Sequence, residues 1–298
     1  MQHPVVALIQ TDPGPDKTAS LERTFELIDE AADSGADWIA LPETFHCRGT
    51  NELKLATAES VPGPLTEALA AAAKRHGVWL HAGSFNERTE DPKKTWNLSL
   101  LFGPDGAVVA EYRKIHLFDA VVDGQVEARE SVRNLPGRHI VSAETAIGTI
   151  GMTICYDLRF PEVYRALALQ GAVATFVPSN FTVPTGRDHW EVLLRARAIE
   201  NGMYVIAAAT IGSGGPSGGF QAYGRSLVVD PWGTVVACAP DEIGVTYARL
   251  DVSRVRKVRA SIPTLHHLRS DVYRFGAVDP SDARPDPTSS PHHEGISS

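Results

Sequence analysis

Short apolar runs alternate along this chain with stretches in which apolar residues recur every three or four positions. Val5-Val6-Ala7-Leu8-Ile9-Gln10 has the length and continuity of a buried strand. A loop of Asp12, Pro13, Gly14 and Pro15 follows. Leu21, Phe25, Ile28 and Ala32 then fall on one face of a helix that Gly35 ends. Trp38-Ile39-Ala40-Leu41 reads as a second buried strand, stopped at Pro42-Glu43. Pro62-Gly63-Pro64 opens a second helix with Leu65, Leu69, Ala72 and Ala73 inward and Gly77 at its end. Strand and helix alternating at this spacing predict layered α/β packing.

The pattern continues with strands over 78–85, 96–102 and 108–114. The last two are joined by the turn Gly103-Pro104-Asp105-Gly106 into a hairpin. The span 119–137 is polar and reads as a long irregular loop, of the kind that covers a site or lacks order. Thr149, Ile150, Met152, Thr153 and Ile154 are strand-like up to Cys155. Pro161 and Glu162 then suit the start of a helix that stops at Gly171. A strand at 172–178, a loop at 179–186 and a helix at 188–201 follow; Trp190, Leu193, Leu194, Ala198 and Ile199 are expected to face inward. Strands are predicted at 203–210, 226–230, 234–237 and 245–250, and 211–219 is Gly-rich and flexible. No internal repeat or linker interrupts this order, so 1–279 is expected to form one domain. From about Pro280 the chain is Pro, Ser, Asp and His, a composition that buries no apolar surface, so 280–298 is expected to be a disordered tail.

Composition narrows the class. The chain has 298 residues, 43% hydrophobic and 21% charged, enough for a large core. Lys+Arg of 28 against Asp+Glu of 36 gives a formal charge of -8, which disfavours nucleic acid and anionic membrane surfaces as partners. No apolar run approaches a membrane span, and the N-terminus lacks the pattern of a secretory signal. Cys47, Cys155 and Cys238 are scattered, without CxxC or zinc-ligand spacing, which fits a reducing, cytoplasmic setting.

Three residues each follow directly on a strand. Cys155 stands where a strand turns toward a helix, so its thiol is either a buried structural one or a nucleophile beside backbone N–H groups that favour a developing oxyanion. Glu43, after a buried strand and a Pro, is either a loop carboxylate or a site residue. Lys114 is either a solvated strand end or a fixed cation. In one layered fold such strand ends converge. A thiol needs a base, which Glu43 can supply, and the oxyanion formed on attack at a carbonyl needs a cation, which Lys114 can supply. The literal GxSxG at 215–219 lacks the strand before and helix after that a nucleophile elbow needs. His266-His267 and His292-His293 lack further ligands at metal spacing, so no metal is expected.

Leu41-Pro42-Glu43-Thr44-Phe45, Tyr112-Arg113-Lys114-Ile115-His116-Leu117 and Ile154-Cys155-Tyr156-Asp157-Leu158-Arg159-Phe160-Pro161-Glu162, in that order, give the chain a resemblance to the nitrilase superfamily of carbon–nitrogen hydrolases over nearly its whole length. The resemblance implies an α/β fold, a four-layer α-β-β-α sandwich, with a Glu43-Lys114-Cys155 triad and no cofactor. It also implies pairing of subunits into a homodimer or higher homo-oligomer. Glu130 matches a second glutamate of the family, and the backbone N–H of Tyr156 an oxyanion donor. Tyr156, in place of the Trp usual after the Cys of true nitrilases, directs the comparison elsewhere. The runs from His189 to Glu200 and from Asp230 to Val236 resemble the deaminated glutathione amidase and ω-amidase branch, which implies that Arg159, Phe181 and Thr185 hold a carboxylated substrate. The alternative for Arg159 is a bracing pair with Asp157 or Glu162. Arg225 departs from that branch, where His is usual. The expected partner is therefore a small-molecule amide. The rival readings are an N-carbamoyl amino acid hydrolase or another aliphatic amidase on the same triad, and a non-catalytic binding protein; the presence of all three triad residues disfavours the last.

Overall fold

The computed structural model describes residues 3–122, 126–215 and 219–273. One compact unit runs from Met1 to Leu265. A second begins at His266, and its described part is a turn in which Arg269 pairs with Asp271 at 2.6 Å. The expected boundary at 279/280 and the tail lie outside the described residues.

The first half of the larger unit contains β1 (Val5–Gln10), α1 (Lys17–Asp33), β2 (Trp38–Ala40), α2 (Asn51–Ala56), α3 (Pro64–His76), β3 (Trp79–His81), β4 (Phe85–Arg88), β5 (Thr95–Phe102) and β6 (Val108–Arg113). A hairpin of β7 (Asp119–Val122) and β8 (Val126–Arg129) follows. The second half contains β9 (Val141–Thr145), β10 (Gly148–Met152), α4 (Pro161–Leu169), β11 (Ala174–Phe176), α5 (Val183–Thr185), α6 (Glu191–Asn201) and β12 (Tyr204–Ala207). It ends with β13 (Ile211–Gly212), β14 (Ala222–Tyr223), β15 (Leu227–Val229), β16 (Val235–Cys238), β17 (Gly244–Arg249) and α7 (Ser253–Ser261).

Among the described residues two large sheets form. The seven-stranded one has the order β17-β1-β2-β3-β5-β4, with β6 also on β5; the six-stranded one has the order β16-β15-β12-β11-β10-β9. The alternation within β1 shows how they stack. Val6 and Leu8 join the core that also holds Ile150, Met152, Ala174 and Phe176 of the other sheet. Ala7 and Ile9 join a separate core with Leu27 and Ile28 of α1 and Leu69 and Ala72 of α3. Both faces of β1 are buried, which is why it reads as a continuous apolar run rather than an alternating one. Trp38 crosses the middle, stacked on Phe176 of the facing sheet at 5.6 Å. On the far side, Val163, Tyr164 and Leu167 of α4 and Leu194 and Ala198 of α6 cover the six-stranded sheet. Helix, sheet, sheet, helix is the four-layer α-β-β-α sandwich expected.

Several local expectations are corrected. The strand over 78–85 is broken into β3 and β4 at Gly83, whose φ of 51° no β-strand accommodates. The irregular span 119–137 contains the β7–β8 hairpin and a 3-10 turn at Glu130–Val132. Ile199 is 53% exposed, lying beside Gly233 instead of in the core. The strand at 203–210 ends at Ala207. Neither α2 nor α7 was anticipated: α2 buries no residue fully, and α7 buries only Val255 and Val258 among its basic positions.

Candidate active site

Three chain reversals at strand ends build the site. After β2 the chain passes Pro42 and pairs Glu43 with Ser84 in an isolated bridge. Gly83 makes this possible, because a Cβ there would collide with the carbonyls of Leu41 and Pro42. Lys114 follows β6 directly. Its N–H donates to the Asn97 carbonyl at 2.9 Å, and its own carbonyl accepts from Gly137 N at 2.7 Å, so the backbone beneath its side chain is fixed. Cys155 comes three residues after β10 with φ 48°, a left-handed conformation costly for a residue with a Cβ. Its N–H donates to Pro178 O at 2.9 Å, tying the turn to the neighbouring strand end. A 3-10 turn runs from Cys155 to Arg159, and the Tyr156 amide lies in its first turn, where a helical partner is lacking.

The side chains converge. Lys114 Nζ is 3.2 Å from Glu43 Oε1 and 2.8 Å from Glu130 Oε2. Asn97 Nδ2 donates to the same two carboxylates, at 2.9 Å to Glu43 Oε1 and 3.3 Å to Glu130 Oε1. Phe118 N donates to Glu130 Oε2 at 2.7 Å. Lys114 and Glu43 are 2% and 5% exposed, so their charges interact in a poorly screened interior. Burial works against the Lys114 ammonium, but Glu130, Glu43 and Cys155 outweigh it and hold its pKa well above the ordinary value. Burial pushes the Cys155 thiol well up, and the facing Glu43 carboxylate, hydrogen-bonded to it, pushes further; Lys114 offsets only part. With two carboxylates around one ammonium, the resting state is a protonated thiol beside a base. That arrangement can pass the proton to Glu43 as sulfur attacks, and Lys114 is placed to face a developing negative charge.

Asp157, expected at most to brace Arg159, is engaged elsewhere. It is fully buried and accepts from Tyr112 Oη at 2.6 Å, His116 N at 3.0 Å and Ile154 N at 2.9 Å, with His116 Nδ1 at 2.8 Å. One carboxylate thus joins the turn carrying Cys155 to the segment after Lys114. Asn97 was missed as well; mid-strand in β5 it gave no signal beyond being polar within an apolar run.

A cavity of about 590 Å³ opens over Cys155, Glu43, Lys114 and Glu130, with Lys54, Asn86, Arg133 and Asn134 in its wall. Arg48, buried beneath, donates to the carbonyls of Gly212 and Phe220 and so fixes the rim at Phe220. A second, small cavity of about 20 Å³ shares Phe118, Cys155 and Asn180 with it and is lined by Tyr156, Arg159, Phe181 and Thr185. The expected substrate residues therefore do gather beside Cys155, around room for about one water. The Arg159 guanidinium lies over the rings of Tyr156 and Phe181 at 5.8 and 5.6 Å and donates to His189 Nδ1 at 3.4 Å. Among the described residues no carboxylate pairs with it; Asp157 is committed to its own donors. Arg225 is elsewhere, forked onto Asp241 at 2.7 and 2.9 Å. No group of three His, Cys, Asp or Glu gathers as a metal site among the described residues. Ser217 and His292-His293 lie outside them.

Comparison with known proteins shows the family of the chain. A carbon-nitrogen hydrolase family profile matches residues 5–260. The chain is 42% identical to the deaminated glutathione amidase of Homo sapiens over 275 residues, 91% of this chain and 84% of that protein. It is 37% identical to the omega-amidase NIT2 of Mus musculus, covering 92% of this chain and 98% of that protein. The crystal structure of Saccharomyces cerevisiae Nit3, a member of branch 10 of the nitrilase superfamily, superimposes with a TM-score of 0.80 at 32% identity, over 88% of this chain and 95% of that one. The chain belongs to the carbon-nitrogen hydrolase family, within the nitrilase superfamily.

Proposed function

We propose that this hydrolase cleaves the distal amide of a small 2-oxo acid, with deaminated glutathione or a close analogue as substrate, through a thioester on Cys155. The observation that carries the reading is the shared cavity in which Cys155 meets the Glu43–Lys114–Glu130 network. Glu43 takes the Sγ proton as sulfur bonds to the amide carbon. Lys114 and the Tyr156 N–H stabilise the oxyanion. The proton on Glu43 passes to the leaving nitrogen, the C–N bond breaks and a thioester remains. Glu43 then deprotonates a water that attacks the thioester; the C–S bond breaks and the thiol is restored. Glu130 orients Lys114. Arg159 grips the carboxylate of the oxo acid, with Phe181 as an apolar wall and Thr185 as a hydrogen-bond partner.

A deaminated glutathione amidase and an omega-amidase among the relatives support this substrate class. We also propose a homodimer, for which large apolar side chains left exposed at Trp232, Val236 and Tyr247 speak, and a cytoplasmic setting, for which the unpaired Cys47, Cys155 and Cys238 speak. The test is mass spectrometry with a slowly hydrolysed 2-oxo-acid amide. An acyl adduct is expected on the Cys155 peptide, no turnover in Cys155→Ala, and amine release without carbon dioxide. An adduct on Cys47 or Cys238, or full activity in Cys155→Ala, overturns the mechanism; carbon dioxide release moves the function to a carbamoyl hydrolase.

A further inference from the structure

One residue of the site touches three of the groups that the mechanism uses and has no part in it. Asn97 lies in β5, whose side chains alternate between two cores. Leu98, Leu100 and Phe102 fill the core under α1 and α3, and Leu101 faces the other sheet. Asn97 is on the face of Leu101 and 5% exposed, where an apolar side chain would be the ordinary choice. A polar group buried there costs stability unless it is hydrogen-bonded.

The hydrogen bonds of its side chain all go to the site. Both N–H groups of Nδ2 donate to carboxylates, to Glu43 Oε1 at 2.9 Å and to Glu130 Oε1 at 3.3 Å. Lys114 Nζ bridges the same two glutamates from its own side, and the Asn97 carbonyl accepts the Lys114 N–H at 2.9 Å. The four side chains thus close a ring, Glu43–Lys114–Glu130–Asn97, in which two negative charges share one positive charge. Two carboxylates held this close favour uptake of a proton by one of them, and donors to the charged form oppose that uptake.

A carboxamide with a purely structural task would be tied to its own sheet. Asn86 of β4 is the register partner of Asn97, yet among the described residues neither Asn86 Nδ2 nor Asn97 Oδ1 has a partner. No bond joins the two amides across the strands, so the glutamates alone hold the Asn97 side chain. Turning the amide over would aim its oxygen at two carboxylates, so the ring also fixes its orientation.

We propose that Asn97 is a positioning residue of this active site, whose two N–H groups keep Glu43 and Glu130 together as carboxylates around one ammonium and so preserve Glu43 as the base for Cys155. The proposal rests on the reading of Glu43 as base and Cys155 as nucleophile. Beyond the ring, Cys155, Lys54, Arg129 and Arg133 are the titratable or charged groups that line the same cavity, with Arg48 buried beneath, and the test leaves all of them in place.

The full-length wild type, Asn97→Leu and Asn97→Asp are compared on one 2-oxo-acid amide over about pH 5 to 9. The acid limb of kcat/KM should move up by about one pH unit or more in Asn97→Leu, which removes both donors. It should move further in Asn97→Asp, which keeps the shape and adds a third carboxylate. On the plateau, kcat of Asn97→Leu should fall about tenfold to a hundredfold with KM nearly unchanged, because Asn97 acts on Glu43 and Lys114 and not on substrate. An acid limb that stays in place in both variants overturns the proposal, whatever the loss of activity, and makes Asn97 a structural residue of β5; so does a loss carried by KM alone. If Asn97→Leu does not fold, Asn97→Asp decides. Should the wild type turn over no amide, the proposed function fails. The Asn97 claim is then decided by the pH dependence of Cys155 alkylation by iodoacetamide, read by mass spectrometry. There sulfur bonds to the methylene carbon, iodide leaves and the thiol proton passes to Glu43, so the same upward shift is expected, and one limb shared by all three proteins refutes it.

Discussion

In the proposed mechanism Cys155 meets its substrate as a thiol. Burial and the Glu43 carboxylate both oppose the thiolate, and Lys114, shared between two glutamates, offsets only part of that. In that mechanism the thiol is activated by the adjacent base during attack rather than by prior ionisation. The ultraviolet thiolate absorbance of wild type minus Cys155→Ala, followed from pH 6 upward, should therefore show no step at or below the ordinary thiol value of 9.0. A step near neutrality would mean that a Cys–Lys ion pair is the resting state. At this scale the sequence was informative where chemistry is rare: an acid, a cation and a thiol each directly after a strand. Asn97 and Lys54 were not legible, because an amide in a strand and a lysine on a short exposed helix are ordinary until the fold brings them to a cavity.

At the scale of elements, the turn at Cys155 depends on what lies beneath it. Gly151 of β10 faces α4 so closely that a Cβ would come within 2.5 Å of Thr175 Oγ1 and 2.7 Å of Leu167 Cδ1. Gly151→Ala should cost about 1–3 kcal/mol through overpacking and should lower kcat by shifting the turn that carries Cys155. Gly244→Ala, where nothing lies within 4 Å of the added carbon, should change the unfolding midpoint little. Equal midpoints for the two variants would show that α4 yields freely. Buried strands and long amphipathic helices were readable from their periods, as in β1 and α3. The β7–β8 hairpin was not, since its four-residue strands lie in a stretch of mixed composition without regular apolar alternation, and β3 and β4 ran together because Gly83 breaks a strand without leaving the apolar run.

For the whole molecule, the sandwich encloses histidines that cannot easily charge. His81 stacks on Phe176 between the sheets at 4.6 Å, and burial lowers its pKa to about 3; His46 is lowered to about 3 by burial and by Lys17. Both folded values lie below the ordinary 6.5, so the unfolded chain binds more protons in that window. Stability is then present in full above pH 6.5 and lost as pH falls toward 3. Urea unfolding between pH 7 and 4 should show this fall, with a slope reduced in His81→Gln by about 1.4 kcal/mol per pH unit near pH 5. An unchanged slope in the variant would place the acid sensitivity elsewhere. The layer architecture was legible because a core between two sheets demands strands apolar on both faces; the pairing of β17 with β1 across the whole chain was not, since no local pattern encodes a partner so distant. The depth of Cys155, the proposed nucleophile, has one more consequence. Amide bonds are the commonest linkage in a cell, and an unrestrained amidase would be a hazard to every protein around it, itself included. Cys155, 8% exposed at the floor of a chamber of about 590 Å³, is open to a small free metabolite and recessed from the surface where a folded chain would make contact. The architecture is thus a sieve as well as a scaffold: size limits access before chemistry begins.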